Sequence, residues 1–252
     1  MQSASILGIP VRAITVQDFI ETVIRLAKDK RRSFITYVNA HCLNVSAGDE
    51  EYRRVLLEAD LVYADGMAIV WAARALGGRL PERVNAGDFF PAFCRRCEEE
   101  DVSLYFLGSK AEESAGAAET AAAATPGLRI AGHHHGYFSG QETPDVIEAI
   151  NGSGADVLVV GMGVPRQEFF VTENREALDV PVCWCVGALF EYYSGRRARA
   201  PLWMRRWGLE WLFRLILEPG RMWRRYVVGN VVFVKRVLRE RRKLRHGREG
   251  EV

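Results

Sequence analysis

Six short runs rich in β-branched and aromatic residues punctuate the first three quarters of the chain: SFITYV (33–38), LVYA (61–64), VSLYFLG (102–108), LRIAG (128–132), ADVLVVG (155–161) and PVCWCVG (181–187). Between them lie stretches with helical spacing. TVQDFIETVIRLAKDK opens with Thr15 and Asp18 at the separation of a helix cap, and MAIVWAARAL, AEESAGAAETAAAA and PRQEFFVTENREAL also read as helices. Strands that are apolar almost throughout, alternating with helices, predict an α/β fold: a mostly parallel sheet with helices on both faces. At 252 residues and 48% hydrophobic composition, the chain is long enough for one large domain of that kind.

The pattern stops near Gly195. Residues 1–195 carry 17 Lys and Arg against 27 Asp and Glu; residues 196–252 carry 17 against 5 and hold four of the six tryptophans. The sequence therefore predicts an acidic body (1–195) and a basic, Trp/Arg-rich helical appendage (196–252). Trp203, Trp207, Trp211 and Leu215 recur every four residues, predicting one side of a helix. A second helix from about Arg221 is expected to turn Trp223, Val227, Val231 and Val234 inward. A cationic aromatic tail suits a polyanion: nucleic acid, an anionic membrane surface or a diphosphate.

No apolar run approaches the roughly 20 residues of a membrane-spanning helix. MQSASILGIPVRAIT lacks the features of a secretory leader, so the expected setting is a reducing cytoplasm. The five cysteines read as core residues, with Cys183 and Cys185 on one strand face. Cys94 and Cys97 form a single CxxC without a second pair, and His133, His134 and His135 are adjacent and diverge, so no metal site is expected.

Ligands of open parallel sheets bind beyond the carboxyl ends of the strands. The residues there are Asn39 after the first run, Asp65-Gly66 after the second and Gly108 after the third. The fourth leads to Gly136-Tyr137, and the fifth to Gly161 and Gly163 in GMGVPRQE. Asp65 is the one carboxylate delivered to this rim by a strand end, as a general base or as the cap of the next helix. In GMGVPRQE the glycines admit a ligand close to the backbone, and Gln167 and Glu168 offer hydrogen bonds to a sugar or a base. Arg166 stands where a dinucleotide fingerprint has its third glycine, which disfavours a nicotinamide-dependent oxidoreductase. The chain has no D-x-D pair, so a bound diphosphate would be met by arginines and helix dipoles.

YVNAHCLN, ADLVYADGMAIVWAAR, ERVNAGDFF, HGYF, ADVLVVGMGVPRQE and RAPLWMRRWGLEWLFRLILEPGRMWRRY, in this order from about residue 5 to 235, resemble the successive motifs of the WecG/TagA/CpsF glycosyltransferase family. The resemblance implies a Rossmann-like fold and inverting transfer, without metal or cofactor, of N-acetylmannosamine or its uronic acid. The donor would be a UDP-sugar and the acceptor a polyprenyl-diphosphate-linked GlcNAc. Such steps build teichoic acid linkage units or exopolysaccharide at the inner membrane face, where the protein would be peripheral and a homo-oligomer is allowed. Asp65 matches the catalytic base, and Asn39, Arg83 and Gln167 match polar groups of the donor pocket. Arg214, Arg221 and Arg224 match arginines of an appendage that closes over the diphosphate. Thr36, Gly66, Gly108, Gly136, Tyr137, Gly161, Gly163 and Glu168 complete the expected substrate contacts. The chain departs from the family pattern at Tyr37, where a threonine is frequent, at Ala188 for a glycine and at Glu191 for an aspartate. A nucleic-acid-binding scaffold using the basic tail is the non-enzymatic alternative; it leaves Asp65 and the GMGVPRQE loop without a role.

Overall fold

A computed structural model describes residues 2–249, with backbone only for Arg206, Arg221 and residues 247–249. The chain opens with a hairpin of β1 (Ser3–Ile6) and β2 (Ile9–Arg12), followed by α1 (Val16–Lys28), β3 (Ser33–Val38), α2 (Ala40–Ser46) and α3 (Glu50–Glu58). Next come β4 (Leu61–Ala64), α4 (Met67–Ala75), α5 (Ala86–Glu99), β5 (Leu104–Gly108), α6 (Ala111–Ala124) and β6 (Ile130–His134). The body ends with α7 (Thr143–Gly152), β7 (Val157–Gly161), α8 (Arg166–Glu173), β8 (Val182–Cys185) and α9 (Leu189–Tyr193). Strands β3 to β8 form one parallel sheet in the order β4-β3-β8-β7-β5-β6. The α/β expectation and all six of its strands hold; the strands after β4 begin one or two residues later than their apolar runs.

Alternation along the central strands divides the core into two layers. Val157, Val159, Val182 and Trp184 face one layer, and Leu158, Val160, Cys183 and Cys185 face the other. Trp184 is fully buried against Phe19, Phe89, Phe90 and Phe93, and its indole N–H donates to the Tyr63 hydroxyl at 3.0 Å. All five cysteines are free and buried, and burial pushes the thiols of Cys42, Cys94 and Cys183 up to about 12. The β1–β2 hairpin, absent from the sequence expectation, turns through Leu7 and Gly8, both at positive φ, as a two-residue hairpin turn requires.

The connections after β5 and β7 leave in opposite directions across the sheet, so a switch point lies between these paired strands. Gly108 ends β5 there at φ +142°, and any Cβ on it would strike the Gly161 backbone of β7.

Beyond Gly195 the described chain is helical: α10 (Leu202–Arg206), α11 (Glu210–Leu217), α12 (Pro219–Trp223), a single π-helical turn (Arg224–Val228) and α13 (Gly229–Glu249). The expected continuous tryptophan helix is broken. Gly208, at φ +70°, ends α10 in the left-handed conformation typical of a helix C-terminus, so Trp203 and Trp211 lie on different helices. The second expected face is also corrected. Trp223, Val227, Val231 and Val234 are about half exposed, and Met222, Phe233 and Val237 are the buried residues. Helix α13 packs on α2 and α4. It is tied there by Asn44 Nδ2 donating to the Gly229 carbonyl (2.7 Å), Arg236 donating to Asn44, and Glu240 accepting from the Leu7 N–H (2.9 Å).

Candidate active site

Asp65 follows β4 with its backbone N–H still donating to the Val38 carbonyl, an extension of the sheet that carries the side chain to the rim. It is not a helix cap: Gly66 occupies the N-cap position of α4 and no side chain caps that helix. The Asp65 carboxylate accepts instead from two carboxamides, Asn85 Nδ2 at Oδ1 (2.8 Å) and Asn39 Nδ2 at Oδ2 (3.3 Å). Both amides are themselves oriented. Asn39 Oδ1 accepts from the N–H groups of His41 and Cys42 as the N-cap of α2, and Asn85 Oδ1 accepts from Arg199. Burial raises the Asp65 carboxyl above its usual range; the Asn39 hydrogen bond opposes this, nearby Glu210 adds to it, and Arg214 and Arg83 oppose it.

Asp65 lies in a cavity of about 470 Å³ between the sheet rim and the appendage. Asn39, Gly66, Arg83 and Arg214 line it with Asp65, as the sequence suggested, joined by His41, Asn85, Glu210, Arg225 and Tyr226. Glu210 lies 3.4 Å from Arg214, 3.8 Å from Arg199 and 3.9 Å from Arg83, so one carboxylate holds three guanidinium groups around the opening. The Arg214 guanidinium stacks 4.6 Å from the Tyr192 ring centroid. The Nε groups of Arg214 and Arg225 are buried with no acceptor among the described residues. Burial, helped by Arg225, lowers His41 to about 4 and keeps it neutral near pH 7.

The remaining expected residues fall elsewhere. Thr36, Gln167 and Glu168 are buried behind the rim and bond to one another: Thr36 Oγ1 and Gln167 Nε2 both donate to Glu168 Oε1, at 2.9 and 2.7 Å. Gln167 Oε1 accepts from the Gly187 N–H, so both polar ends of this side chain are engaged inside the protein. Burial pushes Glu168 up to about 7. Gly108, Gly136 and Gly161 pack backbone to backbone at the β5–β7 switch point; Gly163 is nearby in sequence at φ +81°, and Tyr137 is 68% exposed. Arg224 is exposed, and its neighbour Arg225 faces the cavity. The Arg221 side chain lies outside the described residues. Of the departures from the family pattern, Tyr37 is buried with its hydroxyl against Gly187, Ala188 starts α9, and Glu191 pairs with Arg197.

Sequence reasoning missed Asn85, Arg225 and Glu210. Asn85 sits inside the ERVNAGDFF motif, 20 residues from its partner Asp65, and only the fold brings the two together.

A parallel sheet with a carboxylate, carboxamides and arginines collected beyond its carboxyl edge defines a Rossmann-like α/β enzyme. The chain belongs to the glycosyl transferase WecG/TagA/CpsF family, whose sequence profile matches residues 4–247. It is 31% identical over 193 residues to the N-acetylglucosaminyldiphosphoundecaprenol N-acetyl-beta-D-mannosaminyltransferase of Bacillus spizizenii, covering 77% of this chain and 74% of the relative. A protein of the same name from Bacillus subtilis (strain 168) is 29% identical over 226 residues, 89% of this chain and 87% of the relative.

Proposed function

We propose that the protein transfers N-acetylmannosamine, or its uronic acid, from a UDP donor to a polyprenyl-diphosphate-linked GlcNAc during synthesis of a cell-surface polysaccharide. The observation that carries this reading is Asp65, a carboxylate gripped by two oriented amides and facing arginines in a cavity of small-molecule size. Asp65 takes the proton of the acceptor hydroxyl as its oxygen attacks the anomeric carbon. The bond from that carbon to the UDP oxygen breaks on the opposite face, and the configuration inverts. Arg83 stabilises the charge that gathers on the departing diphosphate.

The glycine-lined switch point suits the nucleotide end of the donor. It lies between three and four strand positions from β4, roughly 14 to 19 Å at about 4.8 Å per strand, a span suited to an extended nucleotide sugar. No helix among the described residues is long and apolar enough to cross a membrane. The appendage instead exposes Trp203, Trp207, Trp223, Val227 and Val231 beside Arg224, Lys235 and Arg239, a surface suited to resting on anionic lipid headgroups.

The test is a mass-spectrometric screen of UDP-sugars against a short-chain lipid-diphosphate-GlcNAc acceptor. The expected product carries one added N-acetylmannosamine or its uronic acid; exclusive use of another sugar, or of an acceptor lacking the diphosphate, would refute the assignment.

A further inference from the structure

The polar groups around Asp65 occupy only one end of its cavity. The other end is a groove between α4 and α13. Ala68, Ala72 and Ala75, spaced four and three residues apart, lie on one face of α4 and leave room where longer side chains would fill the space. Phe233 and Val237, both buried, come from α13, and Val234 and Leu238, each about half exposed, mark where the groove meets solvent. Nothing in a sugar, a nucleotide or a diphosphate needs such a lining. At the inner end, Arg214 and Arg225 each hold a buried Nε that no group among the described residues accepts from. A buried donor without an acceptor is costly unless a ligand supplies one. The matching ligand is therefore an amphiphile whose anionic head is joined directly to an apolar chain.

We propose that the α4–α13 groove binds the first isoprene units of the acceptor lipid, with the diphosphate on Arg214 and Arg225 and the sugar hydroxyl at Asp65. This rests on the reading of the acceptor as a polyprenyl diphosphate. A cavity of about 470 Å³ accommodates a head group and only the start of a long chain, so the remainder leaves past Val234 and Leu238. It emerges along the side of α13 that exposes Val231. The groove thus selects the lipid by its proximal units and sets the depth at which the sugar hydroxyl meets the base.

Calorimetry on the full-length protein tests this without sugar transfer, using farnesyl diphosphate and methyl diphosphate as probes. Farnesyl diphosphate is expected to bind at least about tenfold more tightly, through burial of its chain. Val234→Asp and Ala75→Phe, both at partly exposed positions, should each remove that advantage while leaving the affinity for methyl diphosphate and the melting temperature in place. Equal affinity of the two probes for the unmodified protein would overturn the proposal. So would variants that weaken both probes alike, or dihexanoyl phosphatidic acid binding as tightly as farnesyl diphosphate, which would mark a general acyl slot. Groove-dependent farnesyl diphosphate binding without transfer to farnesyl-diphosphate-GlcNAc from any UDP-sugar would uphold the groove and refute the sugar-transfer reading instead.

Discussion

Around Trp184 in the body, four phenylalanines close on an indole that has no solvent contact, and β3, β4, β5, β7 and β8 are buried along their whole length. In the segment after Gly195, α11 buries no residue fully, and the buried apolar side chains among the described residues are Ala200, Met204, Met222, Phe233 and Val237. Charge holds much of the rest. Asp88 on α5 pairs with Arg83, Arg199 and Arg205, Glu210 with Arg83, Arg199 and Arg214, and Glu218 with Arg197. Part of the positive excess that suggested a polyanionic partner therefore fastens the appendage to the acidic body. The two regions meet at Asp65, whose charge belongs to the body and whose surroundings are completed by the appendage.

The sharpest test of that division is Asp65→Asn. Loss of a general base should lower kcat by about 10³-fold, with UDP binding and melting temperature unchanged, because no part of the core depends on the charge. A variant with near-normal turnover would remove Asp65 from the role of base.

Glu168→Gln probes the body alone. The folded protein holds the Glu168 proton up to about pH 7, against an ordinary value of 4.5, so its stabilising effect is complete below 4.5 and is lost as pH rises through 7. Relative to the glutamine variant, the wild type should lose about 3 kcal/mol across that window in denaturant titrations. A difference that does not change with pH would place the carboxylate in a wetter setting.

Asn85→Ala acts where the regions join. It removes one of the hydrogen bonds that favour ionised Asp65, so the acid limb of kcat/KM should move to higher pH, with about a tenfold loss at neutral pH, the equivalent of one charge-assisted hydrogen bond. A uniform loss with an unmoved limb would assign Asn85 to shaping the loop.

The smallest effect separates the forces themselves. Raising salt from about 0.1 to 1 M shortens the screening length from roughly 10 to 3 Å. Amide exchange in α11 should then quicken several-fold while β8, which has no charged side chain, is unaffected, since the partly exposed Glu210 pairs contribute about 1 kcal/mol each. Equal responses would mean that packing, not pairing, seats the appendage.

The sheet was legible because its strands are apolar on both faces and terminate in recognisable rim residues; Asp65 stood out as the carboxylate at a strand end. The β1–β2 hairpin escaped because its strands, SASI and IPVR, are four residues each, too short for their alternation to register. The appendage misled for two physical reasons. Gly208 interrupts the four-residue tryptophan period, and the π-helical turn at 224–228 holds more residues than an α-turn, so helical spacing extrapolated from Trp223 through Val227 picks the half-exposed face. Gln167 and Glu168 looked like ligand contacts because hydrogen-bonding side chains after a glycine-rich strand end usually are; here they serve Thr36 and Gly187.

Asn39 gives its oxygen to the start of α2 and its nitrogen to Asp65. Hydrolysis of this side-chain amide to aspartate would therefore have an uneven result. The new acid would still begin the helix, because aspartate caps as well as asparagine. It would also set a second negative group against the base and raise its affinity for a proton. A stored sample could keep its melting curve intact while its turnover faded, and intact-mass measurement alongside activity would show whether this one amide limits shelf life.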